Sequence, residues 1–276
     1  MQTRVLTDSQ LAANALRRYT GITGLTRGDK PPPRAVQWIT LHHMRLVARQ
    51  WRVLNHIRHF QQLRTSQIYR LEFHDTTRTP CDRTLKRLRD LGLIEVVRER
   101  LPGGDRGGSS EHVLQLSAAG YKHFPGDKAR RNTTIRYHAL VVADVYIAAL
   151  EASRDGWLDI LDKQVEVDAW ANVAGADIRP DLYLDLGLRE QRKRYRLNIE
   201  VDLGRERQKQ IVEKLERYVY AAQHAAQYPD GQSRQTLFLV TDDERLRELR
   251  RIVKRFNAPD GLVMVEMVED FPSYLR

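Results

Sequence analysis

Asp181, Glu200, Asp202 and Lys214 are the residues of this chain whose types and spacing could do chemistry. Asp181 follows Pro180 in the run Arg179-Pro-Asp-Leu-Tyr-Leu-Asp-Leu-Gly187, and Glu200 and Asp202 lie in the next run, Tyr195-Arg-Leu-Asn-Ile-Glu-Val-Asp-Leu203. Both runs alternate as strands do, with successive side chains on opposite faces. Asp181, Tyr183 and Asp185 then share one face, and Asn198, Glu200 and Asp202 share one face of the next strand. Leu182, Leu184 and Leu186, with Leu197, Ile199 and Val201, make the apolar side. The two runs are expected to pair as a hairpin, apolar face buried and acidic face outward. Two carboxylates about 4 Å apart repel by roughly 4 kcal/mol at an effective dielectric of about 20. A proton, a lysine, a metal ion or plain distance must offset that. The first three mean chemistry, and the last means a solvated face.

The elements around the hairpin decide which groups can reach it. A long helix is expected from about Arg205 to Gln227, with Ile211, Leu215, Tyr218/Val219 and Ala222 as its apolar stripe. Lys214 and Tyr218 are one turn apart and border the stripe, so Lys214 can point back to the sheet and relieve the acidic repulsion. Asp202 could be a ligand or a cap ahead of that helix, with Gly204 permitting the turn. Ahead of the hairpin the pattern predicts a helix from Thr133 or Thr134 to Ala152 and a strand near Gln164–Asp168. Behind it come a strand at Thr236–Val240, a helix at Asp243–Phe256 and a strand at Leu262–Val268. This order is a mixed sheet flanked by helices, an α/β (α+β) domain over 133–276. His138 and Asp144 lie on its first helix. Asp144, beside Val141 and Val145, could approach the acidic group or sit at a solvated edge.

The first half has a different charge. Residues 1–136 hold 25 Lys and Arg against 11 Asp and Glu, a balance of +14, whereas residues 137–276 hold 21 against 25, a balance of −4. A basic half joined to a mildly acidic one points to a polyanion-binding module beside a module with another task. Residues 1–37, broken by Gly21, Gly24, Gly28 and Pro31-Pro-Pro33, read as a basic arm. A helix is expected from Trp38 to about His59, a short one from Thr65 to Phe73 with Thr65 or Ser66 as N-cap, and a third from near Pro80 to Leu91, ended by Gly92. Strands Ile94–Val97 and Val113–Leu116 flank the glycine-rich tip 102–110. Helix, helix, helix, strand, tip, strand is the order of a winged helix-turn-helix, placed at 38–124 with a linker at 125–132. The third helix turns Cys81, Leu85 and Leu88 inward and Arg78, Asp82, Arg83, Lys86, Arg87 and Arg89 outward. A recognition helix enters the major groove by such a face, where arginine pairs with guanine or grips phosphate. Arg98, Arg100 and Arg106 in the wing could reach the adjacent backbone.

Pro180-Asp181, then Glu200-x-Asp202 on the next strand and a lysine on the following helix, resembles the PD-(D/E)XK nuclease-like core. More narrowly, residues 40–230 resemble the replication-relaxation family, through Leu63-Arg-Thr-Ser-Gln-Ile68, Leu85–Leu93 with Gly92, Leu114-Gln-Leu-Ser-x-x-Gly120, Arg179-Pro-Asp181, and Glu200-Val-Asp-Leu-Gly204 with Lys214 and Tyr218. The resemblance implies a role in plasmid or mobile-element DNA replication, relaxation or transfer through DNA binding. It also implies that Asp181, Glu200 and, as a third ligand, Asp202 would hold Mg²⁺ or Mn²⁺ if the core is catalytic. The standard motif has lysine two residues after the glutamate. Asp202 stands there, so the lysine's role of orienting the attacking water passes to Lys214.

The expected function is double-stranded DNA binding. A metal-dependent endonuclease or nickase with Asp181, Glu200 and Lys214 as catalytic residues is one alternative. An adaptor for a relaxase or replication protein is another, and a homodimer is compatible with either. No apolar run approaches the roughly 20 residues of a membrane span, no secretory signal is apparent, and the single cysteine, Cys81, can form neither an internal disulfide nor a zinc cluster. A cytoplasmic protein is expected. No glycine loop with lysine suggests a nucleotide-driven motor, and no tyrosine cluster with a histidine triad suggests a relaxase. His42-His43, His56 and His59 are expected to be ordinary surface or core residues.

Overall fold

The computed structural model describes residues 46–99, 101, 111–127 and 132–275. The arm, the start of the expected first helix, the tip at 102–110 and part of the linker lie outside the described residues. From Ala48 onward the chain is one compact unit.

Helix α1, Ala48–Phe60, buries Val53, Leu54, Ile57 and Phe60 at helical spacing. Strand β1, Gln62–Arg64, follows at once. Helix α2, Thr65–Glu72, buries Ile68 and Leu71. Its N-cap is Arg64 rather than Thr65 or Ser66, and Glu111 reaches across to accept hydrogen bonds from Thr65 Oγ1 (2.8 Å) and from Ser66 N–H. Helix α3, Arg78–Asp90, buries Cys81, Leu85 and Leu88 as expected. Gly92 ends it at φ 67°, a left-handed conformation that costs glycine little. Strands β2, Ile94–Val96, and β3, Val113–Leu116, complete an antiparallel three-stranded sheet in the order β1-β3-β2. The short helix α4, Ala118–Tyr121, is capped by Ser117, whose Oγ accepts from Gly120 N–H at 3.0 Å.

Helix α5, Tyr137–Arg154, is apolar almost all round, with Leu140, Val142, Ala143, Val145, Tyr146, Ile147 and Ala149 buried. Such a helix must be covered on several sides. It packs against β1 and α2, and also against strands β4 and β8 of the larger sheet. Polar ties fix its start. Gln62 accepts from Arg136 N–H at 2.7 Å and donates to Thr134 O at 3.0 Å, and Gln67 donates to Leu140 O at 2.7 Å.

The larger sheet is built from β4, Leu158–Val165; β7, Leu182–Leu188; β8, Lys193–Asp202; β9, Gln235–Val240; and β10, Val263–Met267, with a small hairpin, β5 (Ala171–Val173) and β6 (Ala176–Ile178), between the first two. Its order is β10-β9-β8-β7-β4, with β8, β9 and β10 parallel and β4, β7 and β8 antiparallel. The mixed sheet and its helices give the α/β class that the sequence pattern indicates. Helices α6, Gln208–Gln223, and α7, Asp243–Phe256, pack against each other, and Ile211, Leu215, Phe238, Val240, Leu249, Ile252, Val265 and Met267 form the core between them and the strands. A short helix α8, Phe271–Tyr274, closes the described chain. Among the described residues no helix is long and apolar enough to cross a membrane.

One expectation is corrected here. The acidic face of the hairpin does not point outward. Asp185, Asn198, Glu200 and Asp202 are 4, 0, 3 and 4% exposed. Polar alternation suggests a wet face, but α6 brings Lys214 and Tyr218 to Glu200, α7 brings Arg245 to Asp202, and Arg194 of β8 folds onto Asp185.

Candidate functional site

The strand register fixes the arrangement. Leu182 pairs with Ile199, so the next step along the β7–β8 ladder sets Asp181 across from Glu200. Asp181 N–H donates to Ile199 O at 3.0 Å, and Asp181 Oδ2 accepts Val201 N–H at 2.8 Å. The same oxygen lies 3.0 Å from Nε2 of His138, in the first turn of α5. On the other side, β4 ends at Val165 opposite Leu182. Glu166 then turns at φ 50° and donates its N–H to Asp181 O at 2.9 Å. His138, Glu166 and Asp181 each offer a ligand atom within 4.8 Å of the others.

Glu200 has separate partners. Tyr218 donates its hydroxyl to Glu200 Oε1, and Lys214 Nζ lies 2.7 Å from Glu200 Oε2 and 2.7 Å from Glu206 Oε1. Lys214 and Tyr218, one turn apart beside the apolar stripe of α6, both reach back to the sheet. Burial and the facing Asp181 charge push Glu200 up to about 7, against the pull of Lys214 and Tyr218. Burial alone would lower the Lys214 ammonium, but the Glu200 and Glu206 carboxylates outweigh it and raise it. Burial raises the Tyr218 hydroxyl, and the Glu200 charge adds to that. Burial alone would also lower His138. Its hydrogen bond to Asp181 and the charges of Asp181, Glu166 and Glu200 raise it instead.

Asp202 lies on the same strand face but belongs to another pairing. Its Oδ2 accepts from Arg245 Nε at 2.9 Å and Nη2 at 2.5 Å, and its Oδ1 accepts Gly204 N–H at 2.7 Å. Gly204 sits at φ 76°, so the turn read there is present, but the N-cap of α6 is Arg207 rather than Asp202. Arg245 also donates to Glu206 O at 2.7 Å and to Glu248 at 2.7 Å. Asp185 takes a fork of bonds from Arg194 at 2.7 and 2.5 Å. The repulsion on this face is thus offset carboxylate by carboxylate: His138 at Asp181, Lys214 at Glu200, Arg245 at Asp202, Arg194 at Asp185. A cation held by Asp181, Glu200 and Asp202 together would have to displace Lys214, Tyr218 or Arg245. Asp144 goes elsewhere, to Arg64 at 3.0 Å and Arg70 at 3.6 Å. His56 meets Glu72 at 2.9 Å, and His59 meets Asp168 at 3.4 Å.

Sequence reasoning missed Arg245, Glu206 and Glu166. Arg245 sits in a helix that is otherwise charged, and nothing in its neighbourhood marks it as the one buried arginine of the set. Glu166 is placed by a left-handed turn that no glycine announces. Glu206 follows the Gly204 turn, and its proximity to Lys214 was the available signal.

The outer face of α3 is a second candidate site. Arg78, Arg83, Lys86, Arg87 and Arg89 are all exposed, with Asp82 and Asp90 among them. Arg78 lies over the Tyr69 ring at 5.5 Å and meets Asp82 at 3.3 Å, and Lys86 meets Asp90 at 2.7 Å. Exposed pairs of this kind are weak, about 0.3–0.5 kcal/mol, so a stronger anion can recruit these cations. Arg98 is exposed just after β2. Arg100 and Arg106 lie outside the described residues.

Comparison with known protein families matches residues 54–236 to the family described as replication-relaxation. The chain belongs to the replication-relaxation family. The match spans α1 through the start of β9 and so takes in α3, the carboxylate hairpin and α6. Membership supports a role in replication or relaxation. No curated protein and no solved structure matches the chain.

Proposed function

We propose that this replication-relaxation protein binds double-stranded DNA of a plasmid or mobile element. In this reading α1, β1, α2, α3, β2 and β3 form a winged helix-turn-helix whose α3 enters the major groove. The second sheet is a PD-(D/E)XK nuclease-like core. The observation that carries it is α3 itself: five exposed basic residues stand over a buried seam of Cys81, Leu85 and Leu88. The order helix, strand, helix, helix, strand, strand, with a three-stranded sheet beneath, supports the winged-helix reading. Major-groove docking puts such a face against base edges and phosphates. Arg98, Arg100 and Arg106 would contact the flanking backbone. A gel-shift comparison of the wild type with the Arg83→Glu, Lys86→Glu, Arg87→Glu triple variant tests this. Loss of duplex binding by a folded variant is expected, and unchanged affinity would overturn the reading.

One observation favours a second reading, a metal-dependent endonuclease or nickase. Glu200 and Lys214 lie 2.7 Å apart with Asp181 on the neighbouring strand, which suits a lysine that orients an attacking water. Its cofactor would be Mg²⁺ or Mn²⁺. Supercoiled plasmid incubated with either ion, beside an Asp181→Ala, Glu200→Ala variant, separates the two readings. Nicking by the wild type alone establishes the enzyme, and equal, negligible nicking by both leaves the binding reading. An adaptor role toward a relaxase or replication protein would use the same DNA-binding face.

A further inference from the structure

We propose that His138, Glu166 and Asp181 form a binding site for one divalent transition-metal ion, of the Mn²⁺ or Zn²⁺ class, distinct from the Glu200–Lys214 pair. The inference goes beyond DNA binding by α3 and does not depend on it.

Three separate segments converge on the site: the first turn of α5, the turn after β4, and the residue entering β7. Their ligand atoms lie within 4.8 Å of one another, and His138 Nε2 is 3.0 Å from Asp181 Oδ2. Ligands on metal bonds of about 2.1 Å stand about 3.0 Å apart when adjacent and about 4.2 Å when opposite in octahedral geometry. The cluster is therefore within a small side-chain adjustment of closing on an ion. All three side chains are partly exposed, so water or a phosphate oxygen can complete the shell.

The backbone holds the two carboxylates side by side. Glu166 N–H is bonded to Asp181 O at 2.9 Å, and Glu166 occupies the left-handed region at φ 50°, which is unfavourable for a residue with a Cβ. Glu200 is engaged by Lys214 and Asp202 by Arg245, whereas Asp181 and Glu166 lie beside a histidine, whose neutral ring nitrogen is itself a metal ligand. One imidazole with two carboxylates suits Mn²⁺ or Zn²⁺ better than Mg²⁺ or Ca²⁺, which prefer oxygen alone.

Titrating the full chain with Mn²⁺, read by the loss of the free-ion electron paramagnetic resonance signal, tests the assignment without any activity. One saturable site is expected in the wild type. His138→Ala and Glu166→Gln should each weaken it about tenfold or more, while Glu200→Gln should change it less than about threefold. Circular dichroism and the urea unfolding midpoint report separately that each variant is folded. Absence of a saturable site, affinity unmoved by both His138→Ala and Glu166→Gln, or a loss in Glu200→Gln equal to theirs would each overturn the proposal.

Discussion

Lys214 is clamped between Glu200 and Glu206, 2.7 Å from each, with Tyr218 holding the other oxygen of Glu200. The clamp lets a carboxylate that is 3% exposed sit across from Asp181. Replacing Lys214 by Met should leave Glu200 buried without its cation. Breaking a buried pair costs about 3–5 kcal/mol. The ammonium is one-quarter exposed, so about 2–3 kcal/mol is expected here. Urea unfolding of Lys214→Met, Glu200→Gln and the double variant measures it, with the double variant recovering most of the loss. A loss of less than about 0.5 kcal/mol in Lys214→Met would mean the pair does not hold the site.

Arg245 and Asp202 form the more deeply buried pair, with side chains 7 and 3% exposed. Arg245→Met should cost about 3–5 kcal/mol by stranding Asp202. Combining it with Asp202→Asn should restore much of that, since the amide still accepts Gly204 N–H. The two thermal midpoints, compared with the wild type, decide the matter. Equal midpoints for single and double variants would contradict it.

Gly120 ends the Leu-Gln-Leu-Ser-x-x-Gly motif for a steric reason. A Cβ there would lie 2.1 Å from the Leu93 carbonyl oxygen, the same oxygen that accepts Ser117 N–H at 3.0 Å. Gly120→Ala should destabilise the protein by about 2 kcal/mol or more, because backbone rather than a flexible side chain must move. Chemical unfolding provides the check, and a variant as stable as the wild type would show that α4 is not seated as described.

Cys81 lies under α3 with no exposed surface, and burial pushes its thiol up to about 11. Below that pH the folded protein holds a neutral, covered thiol. A disulfide reagent at pH 8 should therefore react only as α3 opens, far more slowly than in urea. Prompt labelling of the native protein would show that α3 is not docked on its seam.

The helices and the sheet were legible wherever apolar periodicity was strong. Cys81, Leu85 and Leu88 marked α3, and the leucines at 182, 184 and 186 marked β7. Strand β1 was not legible because three residues between two helices carry no period, and its buried Gln62 reads as polar. The carboxylates were found at the right strands, but their burial was hidden. A solvated acidic face and a buried one matched by Lys214, Tyr218 and Arg245 have the same alternation. His138 was legible only as a weaker candidate on the helix before the sheet, since its nearness to Asp181 depends on how α5 seats against β8.

The salt dependence of duplex affinity tests the account most directly. Each phosphate contact contributes about −0.9 to the slope of log affinity against log salt for B-form DNA. Removing Arg83, Lys86 and Arg87 together by Ala substitution should make that slope shallower by about 2.7, with the fold and Mn²⁺ binding unchanged. A slope identical to that of the wild type would contradict DNA recognition by α3.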